Sequence, residues 1–130
     1  MIFSETAKTI RVMFTPFRDG LQSSFGGKVR IKDILPAMQA AAAAGIRHME
    51  FGGGARYQAP YMYVGEDPFA CQDEMRKAVG PDVDLQILTR SVSGVTLTTQ
   101  RLKALQLQAK LMKKHATTWD RNFDYMNDVE

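Results

Sequence analysis

Four short, mostly apolar stretches recur along the chain at intervals of about 30 to 40 residues, and each is a candidate β-strand. They cover residues 10–14, 46–51, 84–90 and 117–124. The segments between them are typical of helices, at residues 31–44, about 66–79, and 98 or 99 to about 114. Strands that alternate with helices in this way predict a parallel sheet with right-handed crossovers, so the expected fold class is α/β.

The chain is too short to close such a sheet into a barrel. Its 130 residues are enough for one domain, residues 1–130, with a real core. A complete (β/α)8 barrel needs about 250 residues. Four strands also leave two unpaired edges, which is unusual for an open parallel sheet. We therefore predict the first four β/α units of a TIM barrel, an incomplete barrel whose exposed edges favour a homo-oligomer.

Local sequence signals mark the ends of the predicted helices. Asp33 is a candidate N-cap for the first helix, and Gly45 ends it. Asp67, followed directly by proline, opens the second helix. Thr98 or Thr99 is expected to cap the third.

Charged residues directly follow the first and third predicted strands. Arg18 and Asp19 come just after the first strand, and Arg90 ends the third. The carboxyl ends of parallel strands meet at one edge of a sheet, where α/β proteins build their sites. Asp19 could ligate a divalent metal, with Arg18 and Gln22 facing the same pocket, and the two arginines could hold a carboxylate substrate. The alternative is an ordinary turn at Asp19, with Arg18 paired to a nearby acid.

Several other features have structural and functional interpretations. Three glycines, residues 52–54, allow a ligand to approach the backbone closely or simply form a tight turn. The chain contains no GxGxxG or GKS/T pattern, so a nucleotide-binding fingerprint is absent. Residues 57–63 are rich in aromatic side chains and are interpreted as a covered loop or short helical turn. We interpret His48 as a core histidine, and Cys71 as a small residue of the core or its boundary.

Composition narrows the classes of partner. The formal net charge of +3 is small and dispersed, which argues against binding to nucleic acid. No apolar run approaches the roughly 20 residues of a membrane span. A single cysteine and the lack of a visible secretory signal lead us to expect a cytoplasmic protein.

Six motifs, in order along nearly the whole chain, resemble the carboxyltransferase domain of biotin-dependent enzymes. This family lies within the HMG-CoA lyase-like metal barrels and includes pyruvate carboxylase, the oxaloacetate decarboxylase α subunit and transcarboxylase. The resemblance covers the N-terminal half of the family's eight-stranded barrel. The motifs are Phe17-Arg-Asp-Gly-Leu-Gln-Ser23, Val29-Arg-Ile-Lys-Asp33, Glu50-Phe-Gly-Gly-Gly-Ala55, Glu66-Asp-Pro-Phe69, Leu85-Gln-Ile-Leu-Thr-Arg90 and Asn122-Phe-Asp-Tyr-Met-Asn-Asp128.

The resemblance implies a set of site residues and cofactors. It implies a divalent metal (Mn, Zn or Co) held by an aspartate, two histidines and a carbamylated lysine, and Asp19 falls on the aspartate. Arg18 and Gln22 fall on residues lining the pocket for the oxo acid and biotin, and Arg90 on an arginine that contacts substrate. The metal would act as a Lewis acid. A carboxyl group would pass between the enolate of a 2-oxo acid and N1 of biotin, which a separate carrier domain or subunit bears.

The sequence departs from the family at several of these positions. Gly20 and Leu21 stand where the family has alanine and histidine. Gln58 stands at the position of a pocket acid, and Leu97 at that of a pocket tyrosine. The family's His-X-His pair and its lysine would fall beyond Glu130. We therefore expect this chain alone to lack most metal ligands, to be inactive without the remainder of the barrel, and to be a carboxyltransferase or decarboxylase when complete.

Two alternatives remain open. One is a metal-dependent lyase or synthase of the same superfamily that acts on an acyl-CoA. The other is a non-catalytic half-barrel that self-associates through its exposed edges.

Overall fold

The computed structural model describes residues 10–124 and contains a parallel sheet of three strands. The strands are β1 (His48–Gly52), β2 (Asp84–Arg90) and β3 (Trp119–Phe123), in the order β1-β2-β3. The parallel α/β architecture is confirmed. All the carboxyl ends of the strands therefore lie at the same edge of the sheet.

The first predicted strand is almost absent, because only Phe14 of residues 10–14 pairs with the sheet. Its N–H donates to the His48 carbonyl at 2.9 Å, and its own carbonyl accepts the Glu50 N–H at 2.9 Å. Ile10 is 78% exposed, so no burial offsets the cost of ordering an edge strand there. Within residues 10–124 the structure shows three strands and one parallel bridge, and the predicted count of four β/α units is not established.

Helices connect the strands as the sequence predicts, with shifted ends. The helices are α1 (Leu21–Phe25), α2 (Ile31–Ala43), α3 (Gly54–Ala59), α4 (Pro68–Val79) and α5 (Leu102–Lys114). The prediction that Thr98 or Thr99 caps α5 was wrong, since the helix begins at Leu102. Thr98 instead accepts hydrogen bonds from the Gln100 amide, which holds the preceding segment in a loop.

Two residues adjacent in the sequence, Glu66 and Asp67, cap the N-termini of α2 and α4. Asp67 caps α4 as predicted, with its carboxylate accepting the Phe69 N–H at 2.8 Å. The prediction that Asp33 caps α2 was wrong, because Asp33 pairs with Arg30. The carboxylate of Glu66 accepts the first N–H of α2 at 3.0 Å instead. This contact ties the start of α2 to the start of α4.

The aromatic segment at residues 57–63 is helical but not covered. It spans the end of α3 and a π-helical turn, Pro60–Val64. The helical interpretation is therefore confirmed. The side chains of Tyr61 and Tyr63 are 73% and 66% exposed, so the expectation of a covered segment was wrong for them.

One face of the sheet carries the core. Met49 and Phe51 on β1 and Leu85 and Ile87 on β2 have no exposed surface. They pack against helix side chains such as Met38 of α2. Each buried side chain of this size contributes roughly 1.5–3 kcal/mol relative to exposure. Cys71 is also buried, in agreement with its interpretation as a core residue.

The opposite face of the sheet is polar and partly open. Side chains alternate along a strand, so Glu50 faces away from Met49 and Phe51. All five residues of β3 are exposed, including Trp119 at 52% and Phe123 at 44%. Within residues 10–124, no helix is long and apolar enough to cross a membrane.

Candidate functional site at the carboxyl ends of the strands

A π-helical turn, Pro16–Gly20, positions the first two predicted site residues. The Thr15 carbonyl accepts the N–H groups of Arg18 at 3.1 Å and Asp19 at 2.9 Å. Phe17 anchors the turn in the core with only 6% of its surface exposed. The side chain of Arg18 is consequently held against the sheet, at 13% exposure, while that of Asp19 is 58% exposed.

Arg18 forms an ion pair with a buried carboxylate that the sequence analysis missed. Its Nε donates to Oε2 of Glu50 at 2.7 Å, and its Nη1 lies 3.2 Å from Oδ1 of Asp19. Glu50 has no exposed surface. The open interpretation that Arg18 pairs with a nearby acid is thus what the structure shows, and this pairing fixes the guanidinium at the end of the sheet.

A second arginine reaches the same carboxylate from β3. Arg121 donates from Nε at 3.1 Å and from Nη2 at 2.5 Å, both to Oε1 of Glu50. Gln86 Nε2 lies 3.4 Å from the same oxygen. The signal that could have found this cluster is the presence of Glu50 in an apolar strand, because a buried charge requires a partner.

Arg18 and Arg90 lie beside successive glycines of the run at residues 52–54. A methyl group built on Gly53 would lie 3.4 Å from Cδ of Arg18. One built on Gly54 would lie 3.6 Å from Nη1 of Arg90 and only 2.8 Å from the Val95 carbonyl oxygen. The two arginines therefore lie beside two adjacent glycines, and the close approach of the chain explains why side chains are missing there.

The guanidinium of Arg90 is oriented by the loop that follows β2. Its Nη1 donates to the Thr96 carbonyl at 2.9 Å. A cavity of about 270 Å³ opens beside it, with Leu97 and Phe123 among the lining residues. Leu97 is 80% exposed although it lines this cavity.

Two predicted pocket residues lie elsewhere. Gln22 is exposed on α1, and within residues 10–124 its side chain makes no hydrogen bond. Gln58 donates to the Val95 carbonyl at 3.2 Å. It lines a separate, largely apolar cavity of about 670 Å³ beside Tyr57 and Phe69. The structure thus places Arg18 and Arg90 beside the glycine turn and Asp19 against Arg18, but it gives Gln22 no contact with them.

The chain is similar to curated carboxylases over most of its length. No family model matches it. It is 32% identical to pyruvate carboxylase of Aspergillus niger over 121 residues, which are 92% of this chain and 10% of that protein. It is 34% identical to the 2-oxoglutarate carboxylase large subunit of Hydrogenobacter thermophilus over 116 residues, which are 85% of this chain and 17% of that subunit.

Solved structures of carboxyltransferase domains are also similar to this chain. The carboxyltransferase domain of Rhizobium etli pyruvate carboxylase with pyruvate aligns with a TM-score of 0.82 and 27% identity, covering 90% of this chain and 20% of that one. The chain is homologous to part of the pyruvate carboxylase carboxyltransferase domain. The resemblance inferred from the six motifs is confirmed. This carboxyltransferase homologue spans between a tenth and about a fifth of the length of the relatives it matches.

The described part of this carboxyltransferase homologue does not form a complete metal site. Within residues 10–124, no three His, Cys, Asp or Glu side chains lie close enough together to hold an ion. Asp19 offers one carboxylate, which lies beside Arg18. Nε2 of His48 lies 3.0 Å from Oε1 of Gln86, and Nδ1 of His115 lies 3.0 Å from Oδ2 of Asp73. Both histidines therefore have structural partners, and we assign no catalytic step to a metal.

Two buried groups of the carboxyltransferase homologue are held neutral. Burial raises the pKa of the Cys71 thiol to about 11, with the charge of Glu66 adding to the effect. Burial likewise raises the pKa of Tyr57 to about 12. Since a thiolate is the reactive form of cysteine, Cys71 is unsuited to act as a nucleophile.

Proposed function

We propose that this chain supplies the arginine-lined part of a carboxyltransferase site acting on a 2-oxo acid. The observation that carries the proposal is that Arg18 lies beside Gly53 and Arg90 beside Gly54, at the carboxyl ends of the strands. Two guanidinium groups in fixed orientations suit a small, doubly oxygenated anion. The pyruvate carboxylase structures similar to this chain include complexes with pyruvate, and with oxamate and biotin.

Each arginine would have a distinct task. Nη1 of Arg90 donates to the Thr96 carbonyl, and the remaining N–H groups of Arg90 would bind the substrate carboxylate. Arg18 uses Nε on Glu50 and Nη1 on Asp19, and its remaining N–H groups would stabilise negative charge that develops on the C2 oxygen. Gln22, one turn beyond Asp19, would donate a further hydrogen bond once the site is complete.

The reaction we propose is the exchange of a carboxyl group between biotin and the substrate. In one direction the C3 carbon of the 2-oxo acid gives up a proton and forms a bond to the carboxyl carbon. The bond from that carbon to N1 of biotin breaks, and N1 takes up a proton. Biotin would be borne by a separate carrier domain or subunit.

Asp19 is the residue of this chain that would contribute to a divalent metal site. One carboxylate alone binds such an ion weakly, so other ligands would have to come from outside the described residues. The remainder of the barrel would also cover the exposed β3 strand, whose five residues lack a described neighbour on their outer side. A second copy of this chain is the alternative partner for that edge, and the molar mass in solution distinguishes the two.

The test is reconstitution of the site. This chain would be co-expressed with the remainder of the Rhizobium etli carboxyltransferase domain, and biotin-dependent decarboxylation of oxaloacetate would be measured. We expect activity that Arg18→Met and Arg90→Met each abolish. The matched control is Arg30→Met, since Arg30 pairs with Asp33 on the surface of α2. An assembled complex in which both site variants stay as active as the control would refute the proposal.

A further inference from the structure

Glu50 sits between two arginines that approach from opposite flanks of the sheet. Arg18 comes from the turn before α1 and occupies Oε2. Arg121 comes from β3 and occupies Oε1 with two N–H groups. β2 lies between β1 and β3, so the side chain of Arg121 crosses a whole strand to reach this carboxylate.

Arg18 alone does not supply hydrogen-bond donors to both oxygens of Glu50, because it also contacts Asp19. Arg18 contacts two carboxylates at once, through Nε to Glu50 and Nη1 to Asp19. Glu50 has no exposed surface, so each of its oxygens needs a protein donor. Because Arg121 supplies two donors to Oε1, Arg18 serves only Oε2 and keeps its other N–H groups for Asp19 and for a ligand.

We infer that Arg121 is a positioning residue that sets the orientation of Arg18 through Glu50. Its side chain is 44% exposed and sits on the open face of the sheet, so it is not required to fill the core. Without it, Oε1 retains the long contact from Gln86, at 3.4 Å. The carboxylate then turns toward Arg18, which draws Nη1 away from Asp19. The relevance of this orientation to catalysis rests on the proposed function, but the coupling itself does not.

Nuclear magnetic resonance of the arginine N–H groups and of the carboxyl carbons tests this coupling without any ligand. In Arg121→Met we expect the Arg18 Nε–H signal and the Asp19 carboxyl-carbon signal to shift, although neither residue contacts Arg121. Arg121→Lys restores the charge with a single-point donor and should reverse the shifts in part. The control is Asn122→Met, the next residue of β3, whose side chain lines a cavity against α5.

Unchanged Arg18 and Asp19 signals in a folded Arg121→Met protein would overturn the inference, as would equal shifts in Asn122→Met. A measurement on the unaltered chain covers the case in which the variant does not fold. There, the Arg121 Nε–H should exchange with solvent about tenfold more slowly than that of exposed Arg101, which corresponds to about 1.4 kcal/mol. Equal exchange rates would refute the pairing. Failure of the reconstituted complex to bind an oxo acid would refute the proposed function and leave these results standing.

Discussion

Replacement of Glu50 by glutamine should destabilise the chain far more than the same change at the surface. The substitution keeps the size of the side chain and removes its charge. Arg18, whose side chain is 13% exposed, is then left without its buried counter-ion. Breaking a buried ion pair costs about 3–5 kcal/mol. Because Arg121 is partly solvated and the glutamine oxygen still accepts one hydrogen bond, we expect a loss near the lower end, about 3 kcal/mol.

Urea unfolding followed by circular dichroism measures this loss as a change in the free energy of unfolding. The control is Glu74→Gln, because Glu74 forms an exposed pair with Lys77 at 2.6 Å and should be nearly neutral when altered. A double-mutant cycle with Arg18→Met isolates the coupling between Arg18 and Glu50. A loss at Glu50 of less than about 1 kcal/mol would show that the pair behaves as a solvated one, contrary to this reasoning.

Three further outcomes follow from the structure. Gly54→Ala should lower the free energy of unfolding by about 1–3 kcal/mol, because its methyl group would lie 2.8 Å from the Val95 carbonyl oxygen. The control Gly20→Ala, whose methyl group would have its nearest contact at 3.5 Å, should be tolerated. Asp67→Ala should lower stability by about 1 kcal/mol through loss of the α4 cap, as thermal unfolding would show. Burial raises the pKa of Cys71 from 9.0 to about 11, so its neutral thiol stabilises the fold fully below pH 9 and progressively less as the pH approaches 11. Between pH 8 and pH 10, the free energy of unfolding of the unaltered chain should therefore fall by about 1 kcal/mol relative to that of Cys71→Ala, as denaturant titrations would show. The same dependence of unfolding free energy on pH in both proteins would contradict that pKa.

The order of elements could be predicted from the sequence because its local signals agree with tertiary burial. The second and third predicted strands carry apolar residues that have no exposed surface in the fold, such as Phe51 and Ile87. The first predicted strand has the same kind of sequence but lies at an edge, where burial is absent and pairing stops at Phe14. Edge position is a property of the whole sheet, and local sequence does not encode it.

The site was predictable in part. The rule that sites lie at the carboxyl ends of parallel strands singled out Arg18 and Arg90, which the structure places beside adjacent glycines, and their role in a site stays a prediction. Glu50 in an apolar strand signals that the buried carboxylate has a partner, but its pairing with Arg121 spans three strands and 71 residues of the chain, so local sequence does not identify that partner. The cap of α2 by Glu66 was missed for the same reason, since it comes from 35 residues further along the chain.

Binding of oxamate to this chain assembled with the remainder of the carboxyltransferase domain, followed through the Nε–H signals of this chain's arginines, tests the central claim most directly. Oxamate is a stable analogue of a 2-oxo acid and lacks the carbon that would react. The account predicts that the signals of Arg18 and Arg90 move together and saturate with one dissociation constant, while that of Arg30 stays fixed. Movement of Arg30 alone, or uniform small shifts of all three, would contradict a 2-oxo acid site at the glycine turn.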